Sequence, residues 1–191
     1  MFVKDFIIAV KVIMAICILS IGAGWVTYDA QAEDQHDRDK SSELGARHIE
    51  TAGGFSFCVP KGWNARDRPG MKFKIILGQA ADGFSTNINV VDEEFSGVLG
   101  DYVTANKLSL TELLKDYQEV SESNFKTESE NPCIKLTITD EQNGIKLRQA
   151  FYFFNGPLGK KLVITCSALA KDGEKFDLLF DASMKTFKLE R

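Results

Sequence analysis

Residues 133–168 read CIKLTITDEQNGIKLRQAFYFFNGPLGKKLVITCSA, and no other run so narrows what the chain can fold into. Ile134, Leu136 and Ile138 alternate with other residues at the period of a strand that buries one side. Asn143-Gly144 breaks the pattern with a pair that tolerates positive φ and closes short hairpins. IKLRQAFYFF follows, NGPLGKK turns the chain again, and LVITCSA completes a third strand. Three strands joined by tight turns make an antiparallel meander. The four aromatics Phe151, Tyr152, Phe153 and Phe154 leave neither face of the middle strand for water. That predicts a sheet covered on both sides rather than an exposed sticky surface.

Two more alternating runs lie upstream. In MKFKIILG, Met71, Phe73, Ile75 and Leu77 share a face opposite Lys72 and Lys74; in FSTNINVV, Phe84, Thr86, Ile88 and Val90 oppose Ser85, Asn87 and Asn89. Asp82-Gly83 between them predicts a hairpin. Two segments carry the helical period instead. Leu99, Tyr102, Val103, Asn106, Leu110, Leu113, Leu114 and Tyr117 step by three and four along one stripe. Ser109 and Glu112, flanked by Leu108 and Leu113, form a rival start signal for a shorter helix. The stripe crosses Ser109 without losing phase, which favours one long helix. DGEKFDLLFDASM is a second helix with Asp172 at its N-cap and Phe176, Leu179, Phe180 and Ser183 along one side. A short final strand is expected within residues 185–189. Helices interleaved with antiparallel strands define an α+β domain.

The first 32 residues differ from the rest. Lys4 and Lys11 precede an uncharged run from Val12 to Val26, and Ala30 and Ala32 then supply small residues where a signal peptidase reads. That order predicts a secretory signal peptide over residues 1–32. The alternative is an uncleaved anchor through residues 6–26 that tethers the chain to the inner membrane. Cys17 is a poor lipid-attachment site because bulky Ile16 precedes it. Residues 33–52 are polar and charged, and read as a flexible linker; the folded domain is expected over 53–191. Removing residues 1–32 takes out two lysines and two aspartates, so the formal net charge stays at −4. A mildly acidic domain with no evident basic stripe offers little to nucleic acid or to an anionic membrane.

Export implies an oxidising compartment for Cys58, Cys133 and Cys166, in which any one pair closes a disulfide and leaves an odd thiol; alternatively all three are small buried hydrophobes. The two histidines, His36 and His48, both fall in the polar linker. A Ser-His-Asp or Cys-His arrangement holds its base about 3 Å from the nucleophile, which a flexible segment does not do, and histidine-ligated zinc fails on the same ground. Glycine-rich phosphate loops are missing from the sequence. Asp92, Glu93 and Glu94, with Asp82 and Asp101 nearby, lack calcium-loop spacing and read as a solvated loop. No catalytic, cofactor-binding or metal-ligating residue is therefore assigned, and no cofactor is expected. In GFSFCVPKGWN, residues 54–64, Cys58 reads as a strand position rather than a reactive thiol. Pro60 ends the strand, Gly62 permits the turn and Trp63 anchors it.

The order of these segments resembles the PsbP-like superfamily, and most of all its bacterial DcrB-like members. Phe55, Pro60, Gly62 and Trp63 match the opening strand and turn, Tyr102 and Asn106 the first helix, and Thr186 and Phe187 the closing element. The resemblance spans roughly residues 53–189. It implies an α-β-α sandwich with a central antiparallel sheet, in a module whose relatives assist larger assemblies at membranes. It carries over no binding residue. The expected function is thus an extracytoplasmic, periplasmic accessory module without enzymatic activity, docking on an envelope or membrane-associated protein complex. A carrier of a lipid or small apolar ligand, suggested by 14 phenylalanines, is the alternative, followed by a histidine-independent hydrolase or thiol enzyme.

Overall fold

A computed structural model describes residues 43–190. Ten strands and two main helices follow in the order β1 (Leu44–Glu50), β2 (Phe55–Pro60), β3 (Asn64–Arg66), β4 (Ile75–Ala81), β5 (Phe84–Glu94), α1 (Leu99–Leu113), β6 (Lys115–Lys126), β7 (Pro132–Gln142), β8 (Ile145–Asn155), β9 (Lys160–Leu169), α2 (Gly173–Lys185) and β10 (Lys188–Leu189). The larger sheet has seven strands in the order β3-β4-β5-β9-β8-β7-β6, and the smaller has three in the order β1-β2-β10. All pairings are antiparallel.

The meander forms as expected, with Gln142 opposite Ile145 across a turn whose Asn143 and Gly144 have φ of 52° and 81°. The Asp82-Gly83 hairpin joins β4 to β5. Successive residues of a strand face opposite ways, so the middle strand β8 splits its aromatics between two cores. Tyr152 and Phe154 join Phe55, Phe57, Phe180, Met184 and Phe187; Phe151 and Phe153 join Tyr102, Val103 and Leu110 from α1. The sheet therefore has α1 against one face, and α2 with the smaller sheet against the other. The 12 phenylalanines of the described residues all lie in or against the hydrophobic clusters. They pack on both faces of the larger sheet.

Several expectations need correction. Leu44–Glu50, expected within the flexible linker 33–52, is strand β1, and the fold begins before residue 53. Its side chains show no clean alternation, and its backbone groups are satisfied by pairing with β2, a contribution that side-chain pattern does not reveal. Residues 1–42, including the signal peptide reading and His36, lie outside the described residues. The long helix does run through Ser109, but it stops at Leu113, and Tyr117 belongs to β6. Residues 71–74 precede β4 instead of forming it, and Ile75 and Ile76 are both buried. The second helix and the final short strand stand where the sequence puts them, with Asp172 at the N-cap position.

Candidate functional site

The opening motif forms a strand and a tight turn. Gly62 takes φ +79°, turning the chain so that Trp63 lies against β4, where a Cβ on Gly78 would come within 2.5 Å of the indole. The indole also meets Phe180 edge-on at 6.2 Å between ring centroids. Cys58 is clamped through its backbone. Its N–H donates to Thr186 Oγ1 at 2.7 Å, and its carbonyl accepts from Ser183 Oγ at 2.6 Å. Phe187 stacks on Phe154 at 4.1 Å. The three thiols are free: Cys133 and Cys166 are buried, and burial pushes both well above the ordinary thiol range.

His48 is not in a linker. It sits in β1 opposite Phe57, with its ring edge-on at 5.8 Å, and Glu50 lies 3.8 Å away. A histidine therefore does belong to the fold, contrary to the expectation from sequence. His48 still does not serve Cys58, because Cys58 pairs with Arg47 and so faces the other side of the smaller sheet. Burial lowers the His48 pKa, Glu50 opposes this and Lys74 reinforces it. On the Cys58 side, Ser56 is fully buried; its hydroxyl donates to Glu190 and accepts from Arg47 at 2.9 Å. Arg47 donates and Glu190 accepts, so this trio ties β1 and β2 to the C-terminal segment.

The acidic run is also not a loop. Asp92, Glu93 and Glu94 end strand β5, and alternation sends neighbours to opposite faces. Asp92 is held by Lys72 and by Lys160 at 2.9 Å. Burial opposes its ionisation, but those two hydrogen bonds outweigh it and keep the carboxyl below its ordinary range. Glu93 accepts the Tyr102 hydroxyl at 2.8 Å, while burial raises its pKa. Asp82 pairs with Lys171 instead. The five acids are not gathered, and among the described residues no group of three or more metal-ligating side chains occurs.

Two features leave no clear mark in the sequence. The first is a buried polar band on the α1 side of the sheet. Gln149 faces Ser167 across β8 and β9, and Ser167 faces Asn87 on β5. Asp140 accepts from Gln149 Nε2 at 2.7 Å and Gln142 Nε2 at 2.8 Å, while Ser167 Oγ donates to Gln149 Oε1 at 3.2 Å. Asp140 is only 3% exposed, and burial raises its pKa despite both amide donors. Asn89 Oδ1, Thr165 Oγ1 and Gln142 Oε1 are buried without a partner. The polar side of FSTNINVV is the available signal, but alternation says only which residues share a face and not whether that face is covered.

The second is the β8–β9 connection. Leu158 is 97% exposed and holds φ +55° within a short 3-10 turn, Pro157–Gly159. A left-handed backbone is unfavourable for leucine by about 1 kcal/mol, and strain of this kind concentrates at functional positions. The turn rests on the β1–β2 connection: a Cβ on Gly54 would stand 3.1 Å from Pro157 Cγ. Ile49, 60% exposed, lies on β1 close to that same connection.

Solved structures share this architecture. The solution structure of cyanobacterial PsbP (CyanoP) from Synechocystis sp. PCC 6803 matches with TM-score 0.56 at 15% identity, covering 77% of this chain and 92% of that one. The chain has a PsbP-like fold. LpqN of Mycobacterium tuberculosis, involved in cell envelope biogenesis, matches with TM-score 0.56 at 12% identity over 72% of this chain and 83% of that one. PA94 of Pseudomonas aeruginosa, a protein of unknown function, matches with TM-score 0.53 at 12% identity over 78% and 98%. No protein-family model matches the sequence, and neither does any curated protein. At these identities the PsbP-like likeness concerns fold alone. The residues behind the sequence resemblance (Phe55, Pro60, Gly62, Trp63, Tyr102, Asn106, Thr186, Phe187) occupy turn, packing and hydrogen-bonding positions of this fold. Among the described residues no helix is long and apolar enough to cross a membrane.

Proposed function

We propose that this PsbP-like chain is a non-enzymatic accessory module of the cell envelope that docks on a protein partner outside the cytoplasm. The observation that carries the reading is Leu158, a leucine held almost fully in solvent on a left-handed backbone at the tip of a tight turn. An isolated exposed leucine is unremarkable by itself, but one kept at a strained φ opposes stability and calls for a compensating role. A two-strand stem, the abutting β1–β2 connection and nearby Ile49 make the tip a preformed apolar contact that loses little entropy on docking. The envelope setting draws support from the N-terminal sequence and from the involvement of the similarly folded LpqN in cell envelope biogenesis. A photocrosslinking residue introduced at position 158 in the native cells is expected to trap one discrete partner. The same residue at Asn143, on an exposed turn at the other end of β8, serves as the control. Leu158→Asn should abolish capture by a crosslinker at Ile49 while leaving the fold intact. Equal, diffuse crosslinking at positions 158 and 143 refutes the docking role.

A further inference from the structure

The net charge of −4 conceals a polarised sheet. Between Lys61 and Lys74 the chain carries five basic residues against Asp67 alone. That segment contains β3, the terminal strand of the seven-stranded sheet, with every residue exposed. Lys61, Arg66 and Lys74 are exposed and have no ion pair among the described residues, whereas Lys72 is committed to Asp92. Lys74 is close enough to lower the His48 pKa, so the basic segment flanks the smaller sheet as well. The opposite sheet edge has the other sign. From Lys115 to Glu130, covering β6 and the turn after it, five acidic residues stand against two lysines, and with Lys107 of α1, which pairs with Glu119 and Glu122, the edge keeps an acidic excess of two.

The chain outside the structure meets the fold on the basic side. Lys61 N–H donates to the carbonyl of Glu43, the first described residue, at 2.8 Å. Upstream, only residues 27–42 separate Glu43 from the uncharged run Val12–Val26. Those residues span at most about 55 Å when extended. An apolar segment lodged in a bilayer would therefore keep this flank within reach of the same lipid surface. We infer that the β3 flank, through Lys61, Arg66 and Lys74, is a contact surface for anionic phospholipid headgroups. The acidic β6 edge is repelled by the same surface, so the charge distribution orients the domain as well as attracting it. The flank lies at the Pro60 end of β2 and the Leu158 tip at its Phe55 end, so the inference stands independently of partner docking.

The test reconstitutes the full chain into vesicles of phosphatidylcholine alone or with about a quarter phosphatidylglycerol, and measures acetylation of individual lysines by an uncharged reagent. On anionic vesicles in low salt, labelling of Lys61 and Lys74 should fall roughly threefold or more. It should recover in about 0.5 M salt, because exposed charges are then screened. Lys126 and Lys146, exposed away from this flank, should label alike on both vesicles. Equal labelling of Lys61 and Lys74 on the two vesicle types overturns the inference, as does equal protection of all four lysines. Neither result bears on crosslinking at Leu158.

Discussion

Replacing Asp140 tests whether the buried polar band stabilises the protein or weakens it. The carboxylate accepts two buried amide N–H groups, from Gln142 and Gln149, within a strand pair that excludes water. Asp140→Ala leaves both donors without a partner. Each orphaned buried group costs about 1–3 kcal/mol, so a loss of about 2–4 kcal/mol is expected after partial relaxation. In a domain of this size that lowers Tm by roughly 5–15 °C. Asp140→Asn is expected to behave differently. Its amide oxygen can serve Gln149, and its NH2 can donate to Gln142 Oε1, which is buried and unpaired, once the Gln142 amide turns over. The loss should then stay within about 1 kcal/mol. The pH dependence has a definite sign. Burial raises the folded-state pKa of Asp140, so the folded protein holds this proton more tightly than the unfolded chain. Wild type therefore gives up stability as pH rises from the unfolded carboxyl value through the raised folded one. Asp140→Asn lacks that slope, so the gap between the two proteins should shift in favour of wild type on acidification. Urea unfolding of both variants at neutral pH and near pH 4 decides the matter. If Asp140→Asn is as damaging at neutral pH as Asp140→Ala, the carboxylate itself is needed and the reasoning from amide satisfaction fails.

Other perturbations follow from burial and charge. In the native protein a thiol reagent should modify Cys58 first, while Cys133 and Cys166 react only on the unfolding timescale; native-state modification of Cys166 at the Cys58 rate would contradict their burial. The folded-state pKa of His48 is lowered, so its contribution is fully present above the unfolded value near 6.5 and is lost as pH falls toward the depressed one. His48→Gln should flatten the stability profile between about pH 7 and pH 5, and an unchanged slope in thermal unfolding would show that His48 is not desolvated.

Local and non-local determinants separate clearly in this chain. Asn143-Gly144 and Asp82-Gly83 mark their turns because backbone conformation there is a property of two adjacent residues. The α1 stripe and the FYFF run are legible because burial on one helix face, or on two strand faces, forces a periodicity onto the residues themselves. By contrast, the acidic run after Val91 has no periodicity that says whether it solvates a loop or ends a strand. Lysines distant in sequence, Lys72 and Lys160, settle it for Asp92. The Leu158 tip is legible only as a turn, since exposure and φ depend on what the turn rests upon.

Amino-acid order alone settled the antiparallel meander, the two helices and the strand and turn of the GFSFCVPKGWN motif, because side-chain period and turn chemistry act over a few residues. Only the tertiary structure made Leu44–Glu50 and the largely exposed Lys115–Lys126 into strands, since their stability comes from backbone hydrogen bonds to β2 and β7. It likewise decided that Asn89, Asp140 and Gln149 are shut away from water, and that basic and acidic residues collect at opposite edges of one sheet. Those outcomes depend on which strands become neighbours, a relation between segments that no single segment encodes.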